Sequence, residues 1–142
     1  MMRRRAIDAV KAKLLEGYTL VASVGDMLYI DRARGVAPLL TLLDGGVSLT
    51  GGVAADRVVG RAAAYLYCLL DVSEIYALII SEPALEVLAA GGIAVSYETR
   101  VPAIRNRTGD GFCPMESATR ALSPTAFHQA LSVIRETKAK LG

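Results

Sequence analysis

A chain of 142 residues with 53% hydrophobic and 21% charged side chains is long and apolar enough for one domain with a sizeable core. Sixteen Lys and Arg against fourteen Asp and Glu leave a net charge of only +2, which argues against a nucleic-acid binder held by counterion release. One His (His128), two Cys (Cys68 and Cys113) and no Trp leave little material for metal or triad chemistry: a zinc site made wholly of protein would need all three of those side chains and a carboxylate.

The basic start, MMRRRAIDAVKAK, is amphipathic and shows neither an apolar signal core nor a small-residue cleavage site, so it reads as a helix and not as a targeting peptide. Ile7, Val10 and Leu14 recur at helical spacing over residues 3–16, and Gly17 stands where a C-terminal helix glycine is favoured. Residues 19–24 and 27–31 are β-prone runs separated by Gly25-Asp26, which predicts a β-hairpin. A brief helix over residues 36–43 follows, with Pro38 near its start and Asp44-Gly45-Gly46 at its end. The glycine-rich stretch 45–52 has no GK[ST] after it and reads as a flexible turn, not a phosphate loop.

Residues 53–56 predict a short strand, and residues 58–70 a helix apolar on most faces and hence buried. Within that helix Cys68 reads as a small buried hydrophobe. Residues 75–80 form a continuous apolar run, the pattern of a central strand covered on both faces, and one far too short to cross a bilayer. Ser81 is placed to cap a helix over residues 82–90, with Pro83 in its first turn and Gly91-Gly92 after it. A strand over residues 93–98 and another over 101–104 come next, the latter near a sheet edge because of Pro102. Beyond a turn-rich loop at 105–112, Cys113-Pro114 reads as a helix start. The last helix takes Ser123 as its cap, Pro124 as its first residue and Phe127, Leu131 and Ile134 as its buried stripe, with His128 on the flank in a packing or surface role. This order predicts a single α/β domain over residues 1–142, a three-layer α/β/α sandwich with an N-terminal helix and β-hairpin. The chain is expected in the cytoplasm with both thiols free, with no cofactor and no nucleic-acid or membrane partner.

Two polar segments precede helices, where such folds bind ligands. In the first, Arg61 opens an otherwise apolar helix; it is a candidate ligand donor, or else one half of an interhelical ion pair with Asp56 or Asp71. In the second, Arg105, Asn106, Arg107, Thr108 and Gly109 combine anion donors, an amide, a hydroxyl and a permissive backbone, the composition of either a ligand loop or a solvated one. Cys113 at a helix start is the candidate nucleophile, because free amides and the helix dipole there favour a thiolate. The alternative is a Cys113 that only caps, with Glu116 completing a capping box three residues on.

The segment 55–64, ADRVVGRAAA, taken with Asn106-Arg107-Thr108-Gly109 and Cys113-Pro114-Met115-Glu116, resembles an uncharacterised bacterial and archaeal family with a cytidine-deaminase-like fold. The resemblance implies two helix N-termini facing one pocket, here lined by Asp56, Arg61 and Cys113. Zinc-dependent deaminases hold their metal with a His or Cys at the first helix start and two Cys at the second, beside a proton-moving Glu. Here the first start offers Gly60-Arg61-Ala62-Ala63-Ala64 and the second one Cys, so a conventional zinc-dependent deaminase is not expected. Three functions are carried forward. The first is a binding module for a small anionic or ribose-bearing ligand, nucleotide-derived compounds included, held by Arg61, Arg105, Asn106, Arg107, Thr108, Gly109 and Glu116. The second is an enzyme with Cys113 as nucleophile or redox centre and Asp56 positioning or accepting a proton, and the third is a structural or subunit-association protein, with a homo-oligomer as the expected partner state.

Overall fold

The structure, a computed structural model, describes residues 2–106, 108–109, 111 and 113–141, with side chains from residue 6 onward. Helix α1 (Met2–Leu14) leads into the hairpin β1 (Leu20–Val24) and β2 (Met27–Asp31), and then α2 (Ala37–Asp44), β3 (Val53–Val59), α3 (Arg61–Leu70), β4 (Glu74–Ser81), α4 (Glu82–Ala90) and β5 (Ala94–Val101). Helices α5 (Pro114–Thr119) and α6 (Phe127–Leu141) complete the chain. The five strands form one sheet in the order β2-β1-β3-β4-β5. β1 runs antiparallel to both β2 and β3, whereas β3, β4 and β5 are parallel.

Helices cover both faces, giving three α/β/α layers. On one side α1 lays Ile7, Val10 and Leu14 over Val21, Val53, Ala55 and Tyr76. The larger core on the other side buries Leu39, Tyr65, Leu66, Leu70, Ile75, Ile80 and Leu88 under α2, α3 and α4, with Ala130 and Ile134 of α6 sealing α3 from outside. Local chemistry accounts for much of this. Gly25 takes a positive φ of 54° to turn the hairpin, and Ser81 Oγ accepts the Ala84 N–H at 3.2 Å as the cap of α4. Cys68 donates weakly to the Val87 carbonyl between α3 and α4, and burial pushes its thiol up to about 11, as befits a packing residue.

Three boundaries differ from the sequence expectation. Val58 and Val59 continue β3, pairing with Ile79 and Ile80, and the helix starts after Gly60; apolar β-branched residues suit a buried strand and a buried helix alike. The two strands expected around Pro102 are one, β5, which ends at Val101 before a proline that cannot donate to the ladder. At the C-terminus, residues 123–126 close a turn of their own through Ala126 N–H to the Ser123 carbonyl at 3.0 Å, so α6 begins at Phe127.

Gly52 sits where a side chain has no room: a Cβ there would lie 2.5 Å from the Ser23 carbonyl oxygen and 2.8 Å from Val24 Cβ. Gly52→Ala is expected to cost roughly 1–3 kcal/mol through overpacking against a backbone atom, measured as a shift in the urea midpoint at constant m-value.

Candidate functional site

A cavity of about 690 Å³ opens beside the C-terminal half of β3, a volume suited to a metabolite-sized ligand. Asp56, Arg57 and Val58 of β3, Gly60, Ala62 and Ala63 at the start of α3, and Ile104, Arg105, Cys113, Met115 and Glu116 form one part of its wall. The opposite wall comes from Gly17 and Thr19 before β1 and from Arg32, Arg34 and Val36 between β2 and α2. The starts of α3 and α5 therefore line the same space.

Glu116 organises that meeting. Its side chain is buried, at 4% exposure, and Oε1 accepts the Arg61 N–H at 2.8 Å and the Ser81 hydroxyl at 3.0 Å. The other oxygen, Oε2, accepts the Ile104 N–H. One carboxylate thus fastens the starts of α3 and α4 and the segment after β5. The capping box expected with Cys113 does not form: the Cys113 N–H donates to the Ile104 carbonyl at 3.0 Å, and Glu116 instead supplies the acceptor that Gly60, the N-cap of α3, lacks. Gly60 permits the approach, since a Cβ there would sit 3.2 Å from Ile104 and about 3.5 Å from the Glu116 carboxylate oxygens.

Asp56 meets the cavity from β3. Burial raises its carboxyl from 3.8 to about 7, against the opposing pull of the Tyr67 hydroxyl, which donates to Oδ2 at 2.6 Å, and of the Val58 N–H, which donates to Oδ1 at 3.3 Å. Tyr67 is fully buried and held well above its ordinary value by that burial and by Asp56. A carboxyl poised near neutrality on a cavity wall can give or take a proton at physiological pH.

Arg61 is not a ligand donor in this arrangement. Its Nε donates to the Thr119 carbonyl at 3.1 Å, Nη1 to the Pro83 carbonyl at 2.9 Å and to Glu86 at 3.1 Å, and Nη2 to the Leu122 carbonyl at 2.6 Å. The guanidinium also lies 5.5 Å from the Tyr65 ring centroid. It is an interhelical brace whose ionic partner is Glu86, not Asp56 or Asp71, and neither Arg61 nor these acceptors line the cavity. Among the described residues of the loop after β5, Arg105 lines it and Asn106, Thr108 and Gly109 do not. Asn106 Oδ1 accepts the Gly109 N–H at 2.9 Å and the Thr108 hydroxyl at 3.1 Å, so Asn106, Thr108 and Gly109 shape their own turn. Arg107 lies outside the described residues. Cys113 is half-buried on the wall as the N-cap of α5. Arg32 and Arg34, which sequence reasoning did not single out, line the opposite wall; Arg32 stacks on Tyr18, 4.2 Å from its ring centroid. Arg57 lines it too, with its guanidinium donating to the Tyr18 and Leu14 carbonyls at 2.7 and 3.2 Å. Among the described residues no cluster of three or more His, Cys, Asp and Glu is placed to hold a metal ion, and no helix is long and apolar enough to cross a membrane.

The chain belongs to the family described as a domain of unknown function, DUF1893, whose profile matches residues 9–137. It is similar to the crystal structure of a DUF1893 family protein, TM1506, from Thermotoga maritima, with a TM-score of 0.78 and 26% identity over 94% of this chain and 87% of that one. No curated protein matches the chain.

Two outcomes follow from these contacts. Glu116→Ala leaves two buried amides and a hydroxyl without their acceptor and is expected to cost roughly 3–5 kcal/mol in urea unfolding, with Glu116→Gln costing less. Because the native Asp56 holds a proton between about pH 4 and 7 that the unfolded chain has released, its contribution makes stability fall as pH rises through that window. Asp56→Asn, which cannot ionise, is expected to gain on the wild type by up to roughly 1.4 kcal/mol per pH unit there, read as a difference in Tm that is more positive at pH 8 than at pH 5.

Proposed function

We propose that the cavity binds a small anionic or ribose-bearing molecule, with nucleotide-derived compounds among the candidates. The observation that carries this reading is the convergence of Arg32, Arg34, Arg57 and Arg105 with Asp56 and the start of α3 around one cavity of ligand size. The Ala62 and Ala63 amides, in the first turn of α3, have no acceptor within their helix and add donors for anionic or hydroxyl groups. The negative charge of Glu116 is occupied by its three donors and leaves the arginines to set the preference.

An antiparallel hairpin beside three parallel strands, with α3 and α5 opening on one cavity, agrees with the cytidine-deaminase-like fold that the sequence resembles. The donor set does not fit a zinc ion. Gly60 and Arg61 bring no ligand to the start of α3, Cys113 stands alone at the start of α5, and the Glu116 carboxylate is already bound by two amides and a hydroxyl. A second reading, an enzyme with Cys113 as nucleophile, is favoured by one fact: the thiol lines the same cavity as the near-neutral carboxyl of Asp56. Free thiols at Cys68 and Cys113 fit a cytoplasmic setting.

A thermal-shift screen of nucleosides, nucleotides and sugar phosphates tests the binding reading. At least one compound is expected to raise Tm, by about 2.7 kcal/mol of stabilisation at a hundred times its Kd, and Arg34→Ala or Arg105→Ala is expected to reduce the shift. The same compound should slow alkylation of Cys113. A folded protein that no compound stabilises would overturn the proposal.

A further inference from the structure

The two edges of the sheet are built differently. β5 carries Glu98 and Arg100, the latter paired with Glu82 at 3.0 Å, and charges on an edge discourage another strand from joining it. β2 carries one charge, Asp31 at its end. Residues 27–30 read Met-Leu-Tyr-Ile, and Met27, Leu28 and Ile30 are 55%, 52% and 44% exposed. The hairpin geometry says which backbone groups face outward. Its connection is the two-residue turn Gly25-Asp26, so Val24 and Met27 form the hydrogen-bonded pair that closes it, and alternation puts Ala22 and Tyr29 in the same class. Leu28 and Ile30 therefore aim their N–H and C=O groups away from β1. Their side chains share the face that bears Val21, the partner of Ile30, on the side of α1.

We propose that two copies of this chain pair antiparallel through β2, with Tyr29 on the two-fold axis, joining two five-stranded sheets into one continuous sheet. Self-complementarity selects this register. With Tyr29 opposite Tyr29 of the second copy, Leu28 faces Ile30 as a hydrogen-bonded pair twice over, and Asp26 faces Arg32, again twice. Centring on Leu28 instead sets Asp26 against Ile30, and centring on Ile30 sets Leu28 against Arg32, so at the hydrogen-bonded positions only the Tyr29 register matches apolar with apolar and acid with base, while Met27 faces Asp31 at the positions between. Arg32 also lines the cavity, so the contacts independent of a ligand there are those of Leu28, Tyr29 and Ile30.

Sedimentation equilibrium of the full chain tests the proposal, with circular dichroism to confirm folding. The wild type is expected at twice the mass of one chain, and Ile30→Lys is expected to weaken association at least tenfold with an unchanged spectrum. Asp26→Lys and Arg32→Asp should each weaken it, and the two together should restore it. Tyr29→Cys places two thiols in a non-hydrogen-bonded pair about 4.5 Å apart at Cα, within disulfide reach, and should cross-link under mild oxidation. A wild type that stays monomeric at high concentration, or a dimer that survives Ile30→Lys and fails to cross-link through Tyr29→Cys, would overturn it.

Discussion

The buried carboxylate of Glu116 is the contact on which the site depends. It is 55 residues from Arg61, 35 from Ser81 and 12 from Ile104, yet it accepts hydrogen bonds from all three. A charge nearly removed from water is tolerable only when its lone pairs are used, and here they are used by the groups that otherwise need acceptors, two backbone amides and a hydroxyl. The capping serine of α4 is drawn into the same network, because its hydroxyl donates to Glu116 while accepting from Ala84. Two helix starts and the exit from the last strand are thereby held in one mutual position. The cavity wall is made of those segments.

Arg61 performs the complementary service on the far side of α3. Its guanidinium satisfies carbonyls from α4 and from the end of α5 and the turn beyond it, so these pieces are tied to α3 by directional bonds as well as by packing. A buried carboxylate and a buried guanidinium thus sit back to back, without pairing to each other. Each is neutralised mainly by the partial charges of backbone groups, a use for which a short carboxylate and a forked guanidinium are well shaped. The arginines on the cavity wall are a different set: Arg32 and Arg34 after β2, Arg57 within β3 and Arg105 after β5.

What was legible in the sequence was local. Ser81 with Pro83 and Gly91, the Gly25-Asp26 turn, and Cys113-Pro114 all announce their elements because a few adjacent residues decide them. The α/β layering and four of the strands were legible from hydrophobic pattern. The end of β3 was not legible, since Val58 and Val59 satisfy either secondary structure and only the neighbouring β4 chooses. Of the residues singled out, Asp56, Arg105, Cys113 and Glu116 line one cavity, whereas Arg61 donates to carbonyls and Glu86, and Asn106 accepts from Thr108 and Gly109 within its own turn. Nothing near Asp56 in sequence points to Tyr67, and nothing near Arg32 or Arg34 points to β3, because the first proximity arises from α3 folding back on β3 and the second from the order of strands in the sheet. A lone Glu in the first turn of a short helix, with a Gly opening an apolar helix elsewhere, was the one available hint of the Glu116 contact.

The position of Arg61 has a dynamic corollary. The first amide of a helix ordinarily faces solvent and trades its proton freely, so it reports only on fraying of the helix end. Here that amide is enclosed by a carboxylate from a distant segment, and its hydrogen exchange must wait until α5 parts from α3. Its protection therefore measures the lifetime of a tertiary closure, and distinguishes breathing of the cavity wall from unravelling of the helix that forms it.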